Sequence, residues 1–183
     1  NPGEAPYEKL ADFYSLGINR LSIGVQSLQP SLLRFLTRIH TKKDVFSTVK
    51  SAQRAGFNNI NCDLIFGIPN QTEENLLSDL DSIISLEPNH ISAYSLTVEP
   101  GTKLNKLVSS NRVIMPSTET DAKMYQLTRD FLSEHRYEQY EISNFSKEGK
   151  ECLHNLHYWQ IDSYASFGPS AHGFDGKIRY NNF

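Results

Sequence analysis

The sequence predicts an α/β fold of parallel strands with helical crossovers, either a sector of a (β/α) barrel with its helices on the outside or a doubly wound sheet. Three observations carry that expectation. Segments of period two, the strand spacing, alternate with segments whose apolar residues recur at helical spacing. The joints between helix and strand resemble one another and recur about every 35 residues, the length of one βα unit. Two strand-like segments also place polar side chains together on one face, where strand ends in such folds carry their sites.

The elements follow in chain order. Pro6 suits a first helical turn, and the helix over Tyr7 to Leu16 stops at Gly17. Leu21 to Leu28 reads as a strand, with Leu21, Ile23 and Val25 on one face and Ser22, Gly24 and Gln26 on the other. Thr41-Lys-Lys-Asp44 resembles a capping box with Asp in place of Glu; its helix runs to Ala55 and closes at Gly56. Ile60 to Phe66 is a second strand, with Asn61, Asp63 and Ile65 opposite Ile60, Cys62, Leu64 and Phe66. Thr72 caps a third helix carrying Leu76, Leu77, Leu80, Ile83 and Ile84, with Pro88 beyond its end. Ile91 to Val98 is a third strand. Ser117 or Thr118 starts a fourth helix, which buries Met124, Leu127, Phe131 and Leu132, and Tyr137 to Ile142 reads as a weaker fourth strand. The joint Leu16-Gly17-Ile18-Asn19-Arg20-Leu21 matches Ala55-Gly56-Phe57-Asn58-Asn59-Ile60, and Leu86-Glu87-Pro88-Asn89-His90-Ile91 is a looser copy.

Composition narrows the function. The 183 residues are 38% apolar and 21% charged, with a net charge of −3, an ordinary globular balance. No basic stripe with interleaved aromatics marks a nucleic-acid surface. No apolar run approaches the roughly 20 residues of a membrane span, and no signal-peptide pattern opens the chain. Cys62 and Cys152 are the only cysteines. They form no disulfide framework, fit a reducing, cytoplasmic setting, and are too few for an iron–sulfur cluster. The start at Asn1-Pro2-Gly3, without Met, reads as a loop inside a longer protein.

The polar strand faces matter because a barrel interior is normally bulky and apolar. Asp63 and Gln26 at corresponding depth either satisfy each other and the backbone or face a ligand, since an unpaired buried charge is costly. Cys152, His154 and His157 are dense enough to raise zinc, but a fourth ligand is not evident.

An ordered set of motifs spans nearly the whole chain. They are Asn1-Pro2-Gly3, Asn19-Arg-Leu-Ser-Ile-Gly-Val-Gln-Ser27, Arg38-Ile-His40, Asp63-Leu-Ile-Phe-Gly-Ile-Pro-Asn-Gln-Thr72, Ser92-Ala-Tyr-Ser-Leu-Thr-Val-Glu-Pro-Gly-Thr102, Tyr137-Glu-Gln-Tyr-Glu-Ile-Ser-Asn-Phe145 and His154-Asn-Leu-His-Tyr-Trp159. In this order and spacing the sequence resembles the radical SAM family, among the oxygen-independent coproporphyrinogen-III-oxidase-like proteins. The His-Asn-x-x-Tyr-Trp pattern and the stretch to Gly168-Pro169-Ser170-Ala171-His172 resemble the haem chaperone (HemW) branch.

The resemblance implies a partial radical SAM barrel over residues 1–135, followed by a barrel exit and the start of a further region over 136–183. It implies S-adenosyl-L-methionine contacts from Gln26, Arg38 and Asp63, which match the family's glutamine, its arginine near the methionyl carboxylate and its ribose-binding aspartate. An arginine fork suits a carboxylate, and carboxylate or amide oxygens accept from hydroxyls. It also implies a haem contact through His154, Tyr158 and Trp159. The intact protein would hold a [4Fe-4S] cluster and haem and pass haem to recipient proteins; the other branch implies coproporphyrinogen III dehydrogenase activity. The family's CxxxCxxC loop, glycine-rich turn and first strands have no counterpart in this sequence, so the resemblance implies a fragment unable to hold the cluster by those cysteines. An open edge on the strand at Leu21 would then favour self-association, a homodimer in the simplest case. Peripheral contact with a membrane stays open.

Overall fold

The helices begin where side chains satisfy their first N–H groups. In the computed structural model, which describes residues 1–183, α1 is Tyr7–Ser15, β1 Leu21–Gln26, α2 Pro30–Phe35, α3 Lys42–Arg54, β2 Ile60–Phe66, α4 Glu73–Ile84, β3 His90–Ser95, α5 Lys103–Ser109 and α6 Thr118–Glu134. There follow β4 (Glu138–Gln139), β5 (Asn144–Ser146), α7 (Leu153–Gln160), β6 (His172–Phe174) and β7 (Arg179–Asn181). Thr41 and Asp44 form the expected capping box on α3, and Thr72 forms one with Asn75 on α4. Ser117 caps α6 by accepting from the Thr120 N–H at 3.1 Å. Pro6 sits at the N-cap of α1, one position earlier than the sequence implied.

The repeated joints are helix stops of one kind. After α3, Gly56 N–H donates to Gln53 C=O and Phe57 N–H to Ala52 C=O, with Gly56 at φ +105°. After α1 the same pair of bonds forms around Gly17, at φ +90°. The motif reads as a repeat because each unit must turn its chain back into the sheet at the same point.

Two compact units result, residues 1–150 and 151–183. In the first, a five-stranded sheet has the order β1-β2-β3-β5-β4. β1, β2 and β3 are parallel, as expected, and β1 is an edge strand. The fourth strand differs from expectation. Of Tyr137 to Ile142 only Glu138–Gln139 forms a strand, and the segment joining β3 is β5, antiparallel to it. Asn144, Phe145 and Ser146 are all buried, so three residues packed on both faces carry no alternation for a sequence reading to find. This hairpin extends the first unit beyond position 135.

Ile23, Val25, Ile60, Cys62, Leu64 and Phe66 face a core completed by Val45, Val49, Leu76, Leu80, Ile83, Met124 and Leu132 from α3, α4 and α6. The helices thus cover the apolar strand faces and leave the polar ones together on the opposite side. The second unit pairs β6 with β7 and packs Tyr164 between Tyr158 and Phe174.

Candidate functional site

Register stacks the polar positions. Ser22 pairs with Asn61, Asn61 with His90, Gly24 with Asp63, Asp63 with Ser92, and Ser92 with Asn144. Asn61 Nδ2 donates to Asp63 Oδ1 at 2.6 Å and reaches Ser22 Oγ at 2.7 Å. Asn61 Oδ1 lies 2.7 Å from His90 Nδ1, and His90 Nε2 lies 2.7 Å from the Tyr140 hydroxyl. Ser92 Oγ donates to Asn144 Oδ1 at 2.6 Å.

One carboxylate orients this row. An ionised carboxylate only accepts, so the nitrogen of the Asn61 amide must face Asp63 and its oxygen must face His90. His90 then carries its proton on Nδ1, and Nε2 accepts from Tyr140. Burial drives the same outcome: desolvation, with the nearby Arg20 charge, pulls the His90 pKa from 6.5 down to about 4, which keeps the ring neutral. Burial also pushes the Asp63 carboxyl above its ordinary range, opposed by hydrogen bonds from Ser22 and Asn61. Asp63 sits where this row opens to solvent.

There the strand ends form a cavity of about 810 Å³ lined by Ser22, Gln26, Arg38, Asp63, Ile65, Tyr94 and four further residues reaching to Ser143. The three residues singled out on β1, after α2 and on β2 therefore meet in one place. Gln26 arrives by a bulge: after Gly24 the register slips, so that Gln26 pairs with Leu64. Its side chain folds back over Gly24, where a Cβ would stand 2.8 Å from Gln26 Nε2. Arg38 arrives by a helix stop. Thr37 takes φ +56°, an unusual conformation for a β-branched residue, while Arg38 N–H donates to Leu33 C=O at 2.8 Å. Arg38 Nη1 donates to Asn1 Oδ1 at 3.0 Å.

His90, Ser92, Asn144 and Tyr140 are the site-supporting residues that the sequence reading passed over. A signal existed: His90, Ser92 and Tyr94 share one face of β3 at period two, and the strand's start one residue before Ile91 puts His90 on it. His154, Tyr158 and Trp159 lie on α7 in the second unit. His154 Nε2 is 2.9 Å from the Tyr158 hydroxyl, the two rings meet edge to face, and Trp159 is 54% exposed. His157 Nδ1 pairs with Asp162, and no group of three or more His, Cys, Asp or Glu side chains is arranged to hold a metal ion.

A parallel barrel sector whose strand ends gather a carboxylate, an amide and a guanidinium in one cavity defines an α/β protein with a candidate ligand site at its strand ends. Comparison narrows that class. A family model for the Radical SAM superfamily matches residues 1–83. The chain is 42% identical over 182 residues to the haem chaperone HemW of Bacillus subtilis, matching 100% of this chain and 48% of that protein. It is 37% identical to HemW of Escherichia coli, over 97% of this chain and 47% of the relative. It is 39% identical to a mitochondrial radical S-adenosyl methionine domain-containing protein 1 from Bos taurus, over 94% and 39%. Among solved structures, the Escherichia coli coproporphyrinogen III oxidase superposes with a TM-score of 0.81 at 23% identity, over 99% of this chain and 44% of that one. Over residues 1–83 the chain is similar to the radical SAM superfamily, and over nearly its whole length it is similar to the HemW haem chaperones. It spans about half the length of the curated relatives it matches.

That family implies S-adenosylmethionine and a [4Fe-4S] cluster. The donor set of the cavity fits the first: a carboxylate backed by donors, a side-chain amide and a guanidinium suit hydroxyls and an amino-acid headgroup. The cysteines do not fit the second. Cys62 faces the core with its thiol pushed up to about 12 by burial, and Cys152 belongs to the other unit. No radical step is therefore assigned to this chain's residues.

Proposed function

We propose that this chain forms the S-adenosylmethionine-binding part of a HemW-like haem chaperone, a protein that binds haem and hands it to haem-receiving proteins in the cytoplasm. The observation that carries this reading is the convergence of Gln26, Arg38 and Asp63 on one cavity, in a chain up to 42% identical to proteins named as haem chaperones. Asp63 accepts from the ribose hydroxyls, held by Ser22 and Asn61 so that its oxygens need not reorganise. Arg38 pairs with the methionyl carboxylate, and Gln26 offers its amide across Gly24. Bound S-adenosylmethionine supplies a sulfonium whose carbon–sulfur bond can be cleaved by one-electron reduction.

On α7 the proposal gives His154 the haem iron and gives Tyr158 and Trp159 the porphyrin edge. Histidine is a common haem-iron ligand, and flat aromatic rings pack against other flat π-systems. Ligation through Nε2 requires the Tyr158 hydroxyl to turn away. No helix is long and apolar enough to cross a membrane.

Two titrations test the reading. Calorimetry with S-adenosylmethionine should give saturable binding that Asp63→Ala abolishes. Haem titration followed by absorbance should give a saturable Soret band that His154→Ala shifts or weakens. Non-saturable haem uptake, the same in both proteins, sinks the chaperone reading. Product from coproporphyrinogen III with the full-length protein under anaerobic reduction would replace it with the oxidase reading.

A further inference from the structure

Gln26 occupies a strained point of the cavity wall. Its φ is +66°, and Ser27 N–H donates to Val25 C=O at 2.8 Å, closing a three-residue turn around it. A γ-turn with positive φ at its centre is rare and strained, and persists only where the surroundings over-determine it. If residue 26 relaxed to ordinary strand geometry, period two would carry its side chain along a different course and away from the fold-back over Gly24.

Two buried side chains from other elements grip the two ends of this turn. His40, 7% exposed, places Nε2 3.0 Å from Val25 C=O. A carbonyl only accepts, so this nitrogen carries the proton. Asp79 on α4, 1% exposed, accepts from Ser27 Oγ at 2.5 Å and from Gln29 Nε2 at 2.8 Å. Ser27 Oγ in turn accepts from the Gln29 N–H at 3.1 Å. Asp79 is a carboxylate in the protein interior with no cation within ion-pair distance, an arrangement that burial penalises. Neither residue lines the cavity. Their bonds converge on the residues immediately flanking Gln26, and that is what a clamp for one backbone conformation requires.

We infer that His40 and Asp79 are positioning residues for Gln26: they hold the γ-turn between Val25 and Ser27 that aims the Gln26 amide into the cavity. The ligand-binding consequence rests on the S-adenosylmethionine reading above, whereas the clamp itself does not.

The test uses this chain with His40→Phe, which keeps bulk and removes the donor, and His40→Gln, which restores an N–H at the place of Nε2. Amide hydrogen exchange at Ser27, read by NMR, should accelerate about tenfold or more in His40→Phe and return towards the wild-type rate in His40→Gln. The Kd for S-adenosylmethionine should weaken about tenfold in His40→Phe, recover in His40→Gln, and show no added loss when His40→Phe is placed on Gln26→Ala. Asp79→Asn, which leaves one of its donors facing an amide nitrogen, should repeat the pattern and serves if His40→Phe does not fold. Unchanged Ser27 exchange in both variants overturns the clamp. Full loss of affinity on top of Gln26→Ala overturns its action through Gln26. If the wild-type chain does not bind S-adenosylmethionine, the cavity reading fails, and Ser27 exchange still decides the clamp.

Discussion

Acid should destabilise this chain through one buried histidine. His90 is 0% exposed and hydrogen-bonded on both ring nitrogens. Its pKa falls from 6.5 in the unfolded chain to about 4 in the folded one. Between those values the unfolded state holds one more proton, so stability rises with pH across this window and is lost as pH falls towards 4. The integrated effect of this residue between pH 7 and about pH 4.5 is on the order of 2.5 kcal/mol. Asp63 and Asp79 work the other way, because burial raises their folded pKa values and their contribution grows as pH falls.

The comparison with His90→Asn separates these effects, since Asn keeps a donor towards Asn61 Oδ1 and cannot titrate. Urea unfolding followed by circular dichroism at both pH values measures it. Wild type should lose about 2.5 kcal/mol more than the variant, a midpoint difference of about 1 M urea at an m-value of about 2 kcal/mol per M. The variant should start less stable at pH 7, because the Tyr140 hydroxyl loses its ring acceptor. Equal losses in the two proteins, to within about 0.5 kcal/mol, would refute the neutral-His90 row and with it the orientation of Asn61.

Three further outcomes are expected. Gly24→Ala puts a Cβ 2.8 Å from Gln26 Nε2, so it should weaken S-adenosylmethionine binding about tenfold while moving the melting temperature little, measured by calorimetry and thermal melts. Leu80→Ala removes a core side chain that is 0% exposed and should cost about 2–5 kcal/mol in urea unfolding, independently of any ligand. Cys62, buried with its thiol pushed up to about 12, should react with a thiol reagent only as fast as the chain opens, and mass spectrometry of the labelled peptide follows that rate.

Much of the scaffold was legible in the sequence because its signals are local. Thr41 with Asp44, Thr72 and Ser117 announce helix starts through bonds spanning three residues, and Gly17 and Gly56 announce stops through their own backbone freedom. α2 and α5 escaped notice because six or seven residues are too few to show a helical period. β5 escaped because burial on both faces erases alternation.

By itself, then, the sequence determined the βα alternation, the capped helix ends and the polar face on which Gln26 and Asp63 lie. Tertiary structure alone decided how those residues become a site. The β-bulge and γ-turn at Gln26 depend on His40 and Asp79, and the amide orientation of Asn61 on His90 as well as on nearby Asp63, while the positive φ at Thr37 belongs to the helix stop that Arg38 N–H closes on Leu33 C=O. Local propensity opposes positive φ at a glutamine or a threonine. Only contacts formed on folding reverse that preference, and no periodicity in the sequence records them.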